Sequence, residues 1–425
     1  MSRFTMTLAL LALALPASAD TTAIVGARIH TVGPMGTIDN GTVLIVDGRI
    51  AAVGEDVVVP AGAETVDASG KVVTPGLFVP LSQLGLVEVS SSAGPPDGAQ
   101  RGDQFSAGFD VADAYNPRST LIAVNRTEGV TRAVIAPSPA RDETGTGQVI
   151  AGLAAVVNLG DDGALNQRGA AMAVALGESG AALSGGSRVS AWLRLRNALD
   201  EALDYREHKG DFERGMRRDY VHSVADLEAL QGVVNGNTPL IVSINRASDI
   251  EVLIDFVDEY SVQAIIVGGA EAWMLADEIA AADIAVIMDP KANLPSSFDS
   301  INARFGAATI LMDAGVKVAI NGDGSHNARN ITQSAGNAVA QGLDWGAALR
   351  AITLTPAEIF GMGTTAGSLE TGKAADVIIW PGDPLELTNF PEQVFINGKA
   401  ISMVTRQTLL RDRYLQTDGP PAYRD

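Results

Sequence analysis

A chain of 425 residues is long enough for one large α/β unit plus a smaller domain, each with a buried core. Hydrophobic residues make up 46% and charged residues 19%, which excludes an intrinsically disordered chain. A formal charge of −20 argues against binding to nucleic acid or anionic lipid, because phosphate would be repelled, and the lack of Cys removes every thiolate nucleophile and thiolate metal ligand.

The first stretch, "MSRFTMTLALLALALPASAD", has a basic residue at Arg3, an apolar run from Leu8 to Leu15, and Ala17-Ser18-Ala19 before Asp20. This is the three-part pattern of a secretory leader, so residues 1–19 are expected to be cut off after Ala19 and the remainder to be periplasmic. The apolar run is shorter than the roughly 20 residues of a spanning helix, and no Cys follows to carry a lipid. No membrane anchor is expected after cleavage.

Next come "TAIVGARIHTV", "GTVLIVDGRIAAVG" and "AETVDASGKVVT", which alternate apolar and polar residues with period two. Asp47-Gly48 between two such runs predicts a tight hairpin. Near the other end, "ADVIIWPGD" and "EQVFINGKAI" read as strands around a second turn, Asn397-Gly398. Residues 20–73 and 364–405 are therefore expected to form one composite β-sandwich domain, followed by a C-terminal tail, 406–425.

Between them, residues 74–363 alternate short apolar runs with amphipathic helices. The strand after Pro75 is followed by "GVTRAVIAP", "GQVIAGLAAVVNL", "GAAMAVALG", "TPLIVSIN", "VQAIIVGG", "DIAVIMDP" and "GVKVAING". Runs without alternation suit strands buried on both faces of a parallel sheet. Eight of them, with helices such as "SDIEVLIDFVDEYS" in between, predict a (β/α)8 TIM-like barrel, the third strand being the weakest match. Residues 88–115 read as a long loop. In such a barrel, chemistry sits at the C-terminal ends of the strands.

The stretches "VDGRIAAVG", "VVTPGL", "NARNITQSAGNAVAQGL", "ITLTPAEIFGM" and "AGSLETGKAADVIIW" together resemble the amidohydrolase superfamily, in particular its imidazolonepropionase-like group. The resemblance implies a hydrolase of non-peptide C–N bonds in a small cyclic or amide substrate. It also implies a metal that makes water a nucleophile, held by two His after strand one, a Lys or Glu after strand four, His after strands five and six, and Asp after strand eight. Here strand one offers Leu81 and Gln83, strand five Ser243 with Asn245 two residues on, and strand six Gly268 and Gly269. Glu178 follows strand four, and Asp323 keeps the carboxylate after strand eight.

A zinc site needs about three protein ligands, so no metal or other cofactor is expected, with Asp323 the one residual place for weakly held zinc. Asp323 is the candidate catalytic base. Gln83, Glu178, Asn245, Arg246 and His326 are candidate ligand-binding residues at the strand ends. Arg246 and Arg329 either stabilise developing negative charge or brace a loop through a salt bridge. His326, three residues after Asp323, either touches a ligand or points to solvent from a Gly-rich turn. His30, His208 and His222 read as surface or structural residues. Lys209 sits among charges, unlike a carbamylated lysine buried at the end of strand four, and "GTGQVIAG" runs into a strand, unlike a phosphate-binding loop.

Two functional expectations follow. One is an exported hydrolase whose activity is weak or lost because its metal site is degenerate. The other is a non-catalytic protein that binds a small ligand, or pairs with an active paralogue. A homodimer is the oligomeric state the resemblance implies.

Overall fold

A computed structural model describes residues 20–88, 97–102, 105–143, 145, 147–322 and 324–415, and the side chains of Ser325 and His326 are outside the description. Residues 1–19, where a leader is expected, Asp323 and the last ten residues lie outside the described residues. Among those described, no helix is long and apolar enough to cross a membrane.

The chain opens with five strands, β1 (Thr21–His30), β2 (Thr37–Val46), β3 (Arg49–Gly54), β4 (Glu64–Asp67) and β5 (Val72–Pro75). Eight more follow: β6 (Leu77–Ser82), β7 (Val130–Ile135), β8 (Ile150–Asn158), β9 (Leu165–Ala175), β10 (Leu240–Ile244), β11 (Ala264–Gly268), β12 (Ala285–Met288) and β13 (Val318–Ile320). The last three are β14 (Val377–Trp380), β15 (Gln393–Ile396) and β16 (Lys399–Ala400).

The first five and last three strands share one sheet in the order β16-β15-β14-β5-β1-β2-β3, with β4 also pairing β1. Its seam is the antiparallel β5–β14 pair, Val72 opposite Trp380, which joins segments some 300 residues apart. Both Asp47-Gly48 and Asn397-Gly398 turn with two positive φ values, the geometry that matches strand twist in a two-residue hairpin. The two hairpin tips touch. A Cβ on Gly48 would lie 2.7 Å from the Asn397 carbonyl oxygen, so the turns admit no side chain there.

The second sheet runs β6 to β13 in chain order. This is the eight-stranded barrel, with one departure from an all-parallel sheet. β8 pairs antiparallel with both β7 and β9. Only six residues, 159–164, separate β8 from β9, too few for a crossover helix, so the chain returns as a hairpin and β8 is inverted. The sequence "GQVIAGLAAVVNL" is apolar on both faces in either direction, which is why its composition gives no hint of the reversal.

Inside the barrel, Phe78, Val134, Val156, Ile241, Ile265, Ile287 and Ala319 pack together. Ala357, from the helix Leu354–Ile359, and Phe360, just after it, plug the same core. The Phe78 N–H donates to the Ile352 carbonyl at 2.9 Å, tying β6 to the chain that precedes this helix. Outside, the long helix Arg188–Glu213 and the helices Val224–Val234 and Ala247–Tyr260 bury one face each, through Leu195 and Leu199, Leu227 and Leu230, and Leu253 and Phe256. A buried ion pair crosses between the two sheets. Arg132 Nε lies 2.6 Å from Asp376 Oδ2, with both side chains about 95% covered, and its other two guanidinium nitrogens donate to Asn166 and Asn397.

Candidate functional site at the barrel mouth

The C-terminal ends of the parallel strands surround a cavity of about 240 Å³. Leu81, Ser82 and Gln83 line it from the end of β6, Ser138 from beyond β7, Ser243 from β10, and Asn321 and Gly324 from beyond β13. These polar side chains are neutral. Gln83 Nε2 donates to the Gly98 carbonyl at 3.1 Å and to Ser138 Oγ at 2.9 Å, which fixes its amide against the long loop. Ser82 Oγ donates to the Val134 carbonyl at 3.1 Å. Asn321 is held by its backbone N–H, which donates to the Met288 carbonyl at 2.8 Å. Its Oδ1 is buried and has no hydrogen-bond partner among the described residues. A buried amide oxygen without a partner is costly, of order 1–3 kcal/mol, and is the natural place for a ligand N–H.

Around this cavity, ionic groups are already committed. Asp299 accepts from the Glu178 N–H at 2.6 Å and is bonded to Arg188. Arg188 Nε also donates to Asp249 Oδ2 at 3.1 Å, and Asp249 Oδ1 receives Arg246 at 2.8 Å. Both carboxylates are buried. Buried Glu271 accepts three hydrogen bonds, from Ala247 N–H and from the backbone and side chain of Asn302. This network staples the loops after β9, β10, β11 and β12 to one another.

Of the candidates from sequence, Gln83 lines the cavity and Asn321 joins it from beside Asp323. Asn245 sits behind the cavity wall, its Oδ1 accepting from the Ala270 N–H at 3.3 Å. Arg246 is paired with Asp249, the bracing alternative. Glu178 is exposed in the first turn of the short helix Gly177–Leu183 and does not line the cavity. Arg329 contributes its N–H to Asn125 Oδ1 at 2.7 Å. At the end of β11, Gly268 has φ +92°, and a Cβ there would lie 2.5 Å from Asn245 Oδ1. No larger side chain fits that backbone without rearrangement. Among the described residues, no three His, Asp or Glu side chains are placed to hold a metal ion.

The remaining histidines lie elsewhere. His30 Nδ1 is 2.9 Å from Thr37 Oγ1, and its ring packs on Trp345 at 4.5 Å. His208 is 3.2 Å from Asp204 on the long helix. His222 takes the structural alternative. Its Nδ1 is 2.9 Å from Glu201 Oε2, and Glu201 also accepts from the backbone N–H groups of Val221 and His222. Burial alone would raise the Glu201 pKa, but these donors outweigh it and hold the carboxyl below its ordinary value.

An eight-stranded barrel joined to a sheet built from both ends of the chain, with a cavity at the C-terminal strand ends, defines an amidohydrolase-like architecture. The sequence profile of the amidohydrolase family matches residues 187–401, and the chain belongs to that family. It is 24% identical over 394 residues to amidohydrolase tasK of Hapsidospora irregularis, covering 85% of this chain and 39% of that longer protein. The crystal structure of an amidohydrolase from Thermotoga maritima MSB8 superposes with a TM-score of 0.79 at 22% identity, over 90% of this chain and 99% of the other. Molinate hydrolase superposes with a TM-score of 0.55 at 17% identity, over 95% and 97% of the two chains. At these identities the superpositions speak to the fold alone.

Proposed function

We propose that this chain is an exported amidohydrolase-family protein that takes a small cyclic or amide ligand at the barrel mouth and hydrolyses its non-peptide C–N bond weakly or not at all. The observation that carries this reading is the donor set around the cavity. Gln83, Ser138, Ser243 and Asn321 are neutral hydrogen-bonding groups, and Asn321 Oδ1 is buried and unpaired among the described residues. Such a lining suits an uncharged ligand with an N–H to donate.

The same donor set does not fit the zinc of the family. Tetrahedral zinc takes His, Cys or carboxylate ligands, about three from the protein at a catalytic site. Leu81, Gln83, Ser243 and Gly268 stand at the strand ends where the family places imidazoles, and the carboxylates Asp249, Asp299 and Glu271 are consumed by arginines and backbone N–H groups. Asp323 remains the candidate base, a role that contributes about 10²–10⁴-fold when correctly placed.

Thermal shift with 2-pyrrolidinone and N-methylacetamide as neutral probes tests the ligand class. The expected result is a concentration-dependent rise in Tm that Asn321→Leu abolishes. A parallel assay compares wild type with Asp323→Asn. Loss of a measured hydrolysis rate at unchanged affinity places residual catalysis at that carboxylate, and turnover that depends on stoichiometric metal would overturn the proposal.

A further inference from the structure

A second cavity, larger than the one at the mouth, lies beside it at the start of the inverted β8 and shares none of its lining residues. It holds about 440 Å³, within the usual range of roughly 300–1,000 Å³ for small-molecule sites. Its walls come from the start of β8, from the helix Arg188–Glu213 through Arg194 and Asn197, and from His222 just before the helix Val224–Val234.

We infer that this neighbouring cavity is a second binding site, which takes a small molecule carrying an oxyanion, a carboxylate or a phosphate, against Arg194 and His222. Two observations carry it. Arg194, exposed on the long helix, makes no ion pair among the described residues, although the chain carries a formal charge of −20. One of its nitrogens, Nη1, is spent on the carbonyl oxygens of Gly147 at 2.7 Å and Leu183 at 3.5 Å, which hold the guanidinium in place and leave its other donors to a ligand.

His222 is similarly fixed. Glu201, itself buried, receives Nδ1 and two backbone N–H groups, so the ring nitrogen left for a ligand is Nε2. Clamping an imidazole and the backbone beside it with one buried carboxylate is a positioning arrangement. Asn197 and Gln148 supply neutral polar contacts for the rest of the molecule.

Isothermal titration of the full-length mature protein with inorganic phosphate and, separately, with succinate tests the inference. Saturable binding of at least one probe is expected, with Kd of about 1 mM or tighter. Arg194→Met and His222→Asn should each weaken it about tenfold or more, the cost of a lost charged hydrogen bond. Asn321→Leu, in the other cavity, should leave it unchanged, which separates this site from the barrel mouth. Binding of phosphate alone assigns a phosphate ester, and binding of succinate alone assigns a carboxylate. No saturable binding of either, or equal loss in Asn321→Leu, overturns the inference. Circular dichroism of the variants guards against misfolding, and Arg194→Lys, which keeps the charge, should retain part of the affinity.

Discussion

Asp299 offers the sharpest test of how the barrel mouth is held. Its carboxylate is buried, takes the Arg188 guanidinium on one oxygen, and accepts the Glu178 N–H at 2.6 Å on the other. Asp299→Ala removes both bonds. A hydrogen bond to a charged group is worth about 1.5–3 kcal/mol, so the two together come to roughly 3–6 kcal/mol. Arg188 is about one-third exposed and keeps Asp249, so water and the second carboxylate recover part of this. The net loss should be about 3 kcal/mol. With an unfolding entropy of about 2.1 cal/mol/K per residue, a chain of roughly 400 residues loses about 3–4 °C in Tm. Differential scanning calorimetry measures it. Arg188→Ala in the Asp299→Ala background should then cost less than Arg188→Ala alone, by 1 kcal/mol or more. A Tm within about 1 °C of wild type, or strictly additive losses, would refute the idea that these carboxylates are structural.

Further outcomes are expected elsewhere. Glu201 has a pKa held below its ordinary value, so its contribution is complete above the unfolded carboxylate range and is lost as pH falls through the folded value. Glu201→Gln should therefore lower Tm at pH 7, and the gap to wild type should narrow below about pH 4. Restoring imidazoles on strand one, as Leu81→His with Gln83→His, should not create a zinc site, because β11 still ends in Gly268; equilibrium dialysis should show less than one zinc per chain. Asp376→Ala should destabilise by about 3–5 kcal/mol, leaving Arg132 buried with an uncompensated charge. Replacing both partners, as Arg132→Met with Asp376→Leu, should restore much of that stability by urea unfolding.

Much of the architecture was legible in the sequence because period and turn chemistry are local. Asp47-Gly48 and Asn397-Gly398 demanded positive φ at both positions, and both turns have it. The buried strands announced themselves by unbroken apolar runs. The reversal of β8 was hidden, since a strand apolar on both faces carries no mark of direction. At the site, Leu81, Gln83 and Ser243 were visible as substitutions, and Gln83 and Ser243 do line the cavity. Asn321, two residues before Asp323, is a neutral amide and carries no signal of acid–base or metal chemistry in the sequence. The pairings of Asp299 with Arg188 and of Glu201 with His222 span 111 and 21 residues. No local pattern reports contacts of that kind. Ion pairing of Arg246, by contrast, is local: Asp249 lies three residues on, in the first turn of the helix that Arg246 precedes.

Whether the barrel mouth grips a catalytic metal decides between a working and a disarmed barrel. Protein isolated from its native compartment, and the same protein offered zinc, manganese or cobalt and then desalted, can be assayed by inductively coupled plasma mass spectrometry. The expected content is well under one metal per chain, with no metal-dependent rise in Tm, whereas a metal at about a hundred times its Kd would add about 2.7 kcal/mol. One equivalent of zinc surviving desalting, and lost in Asp323→Asn, would contradict it.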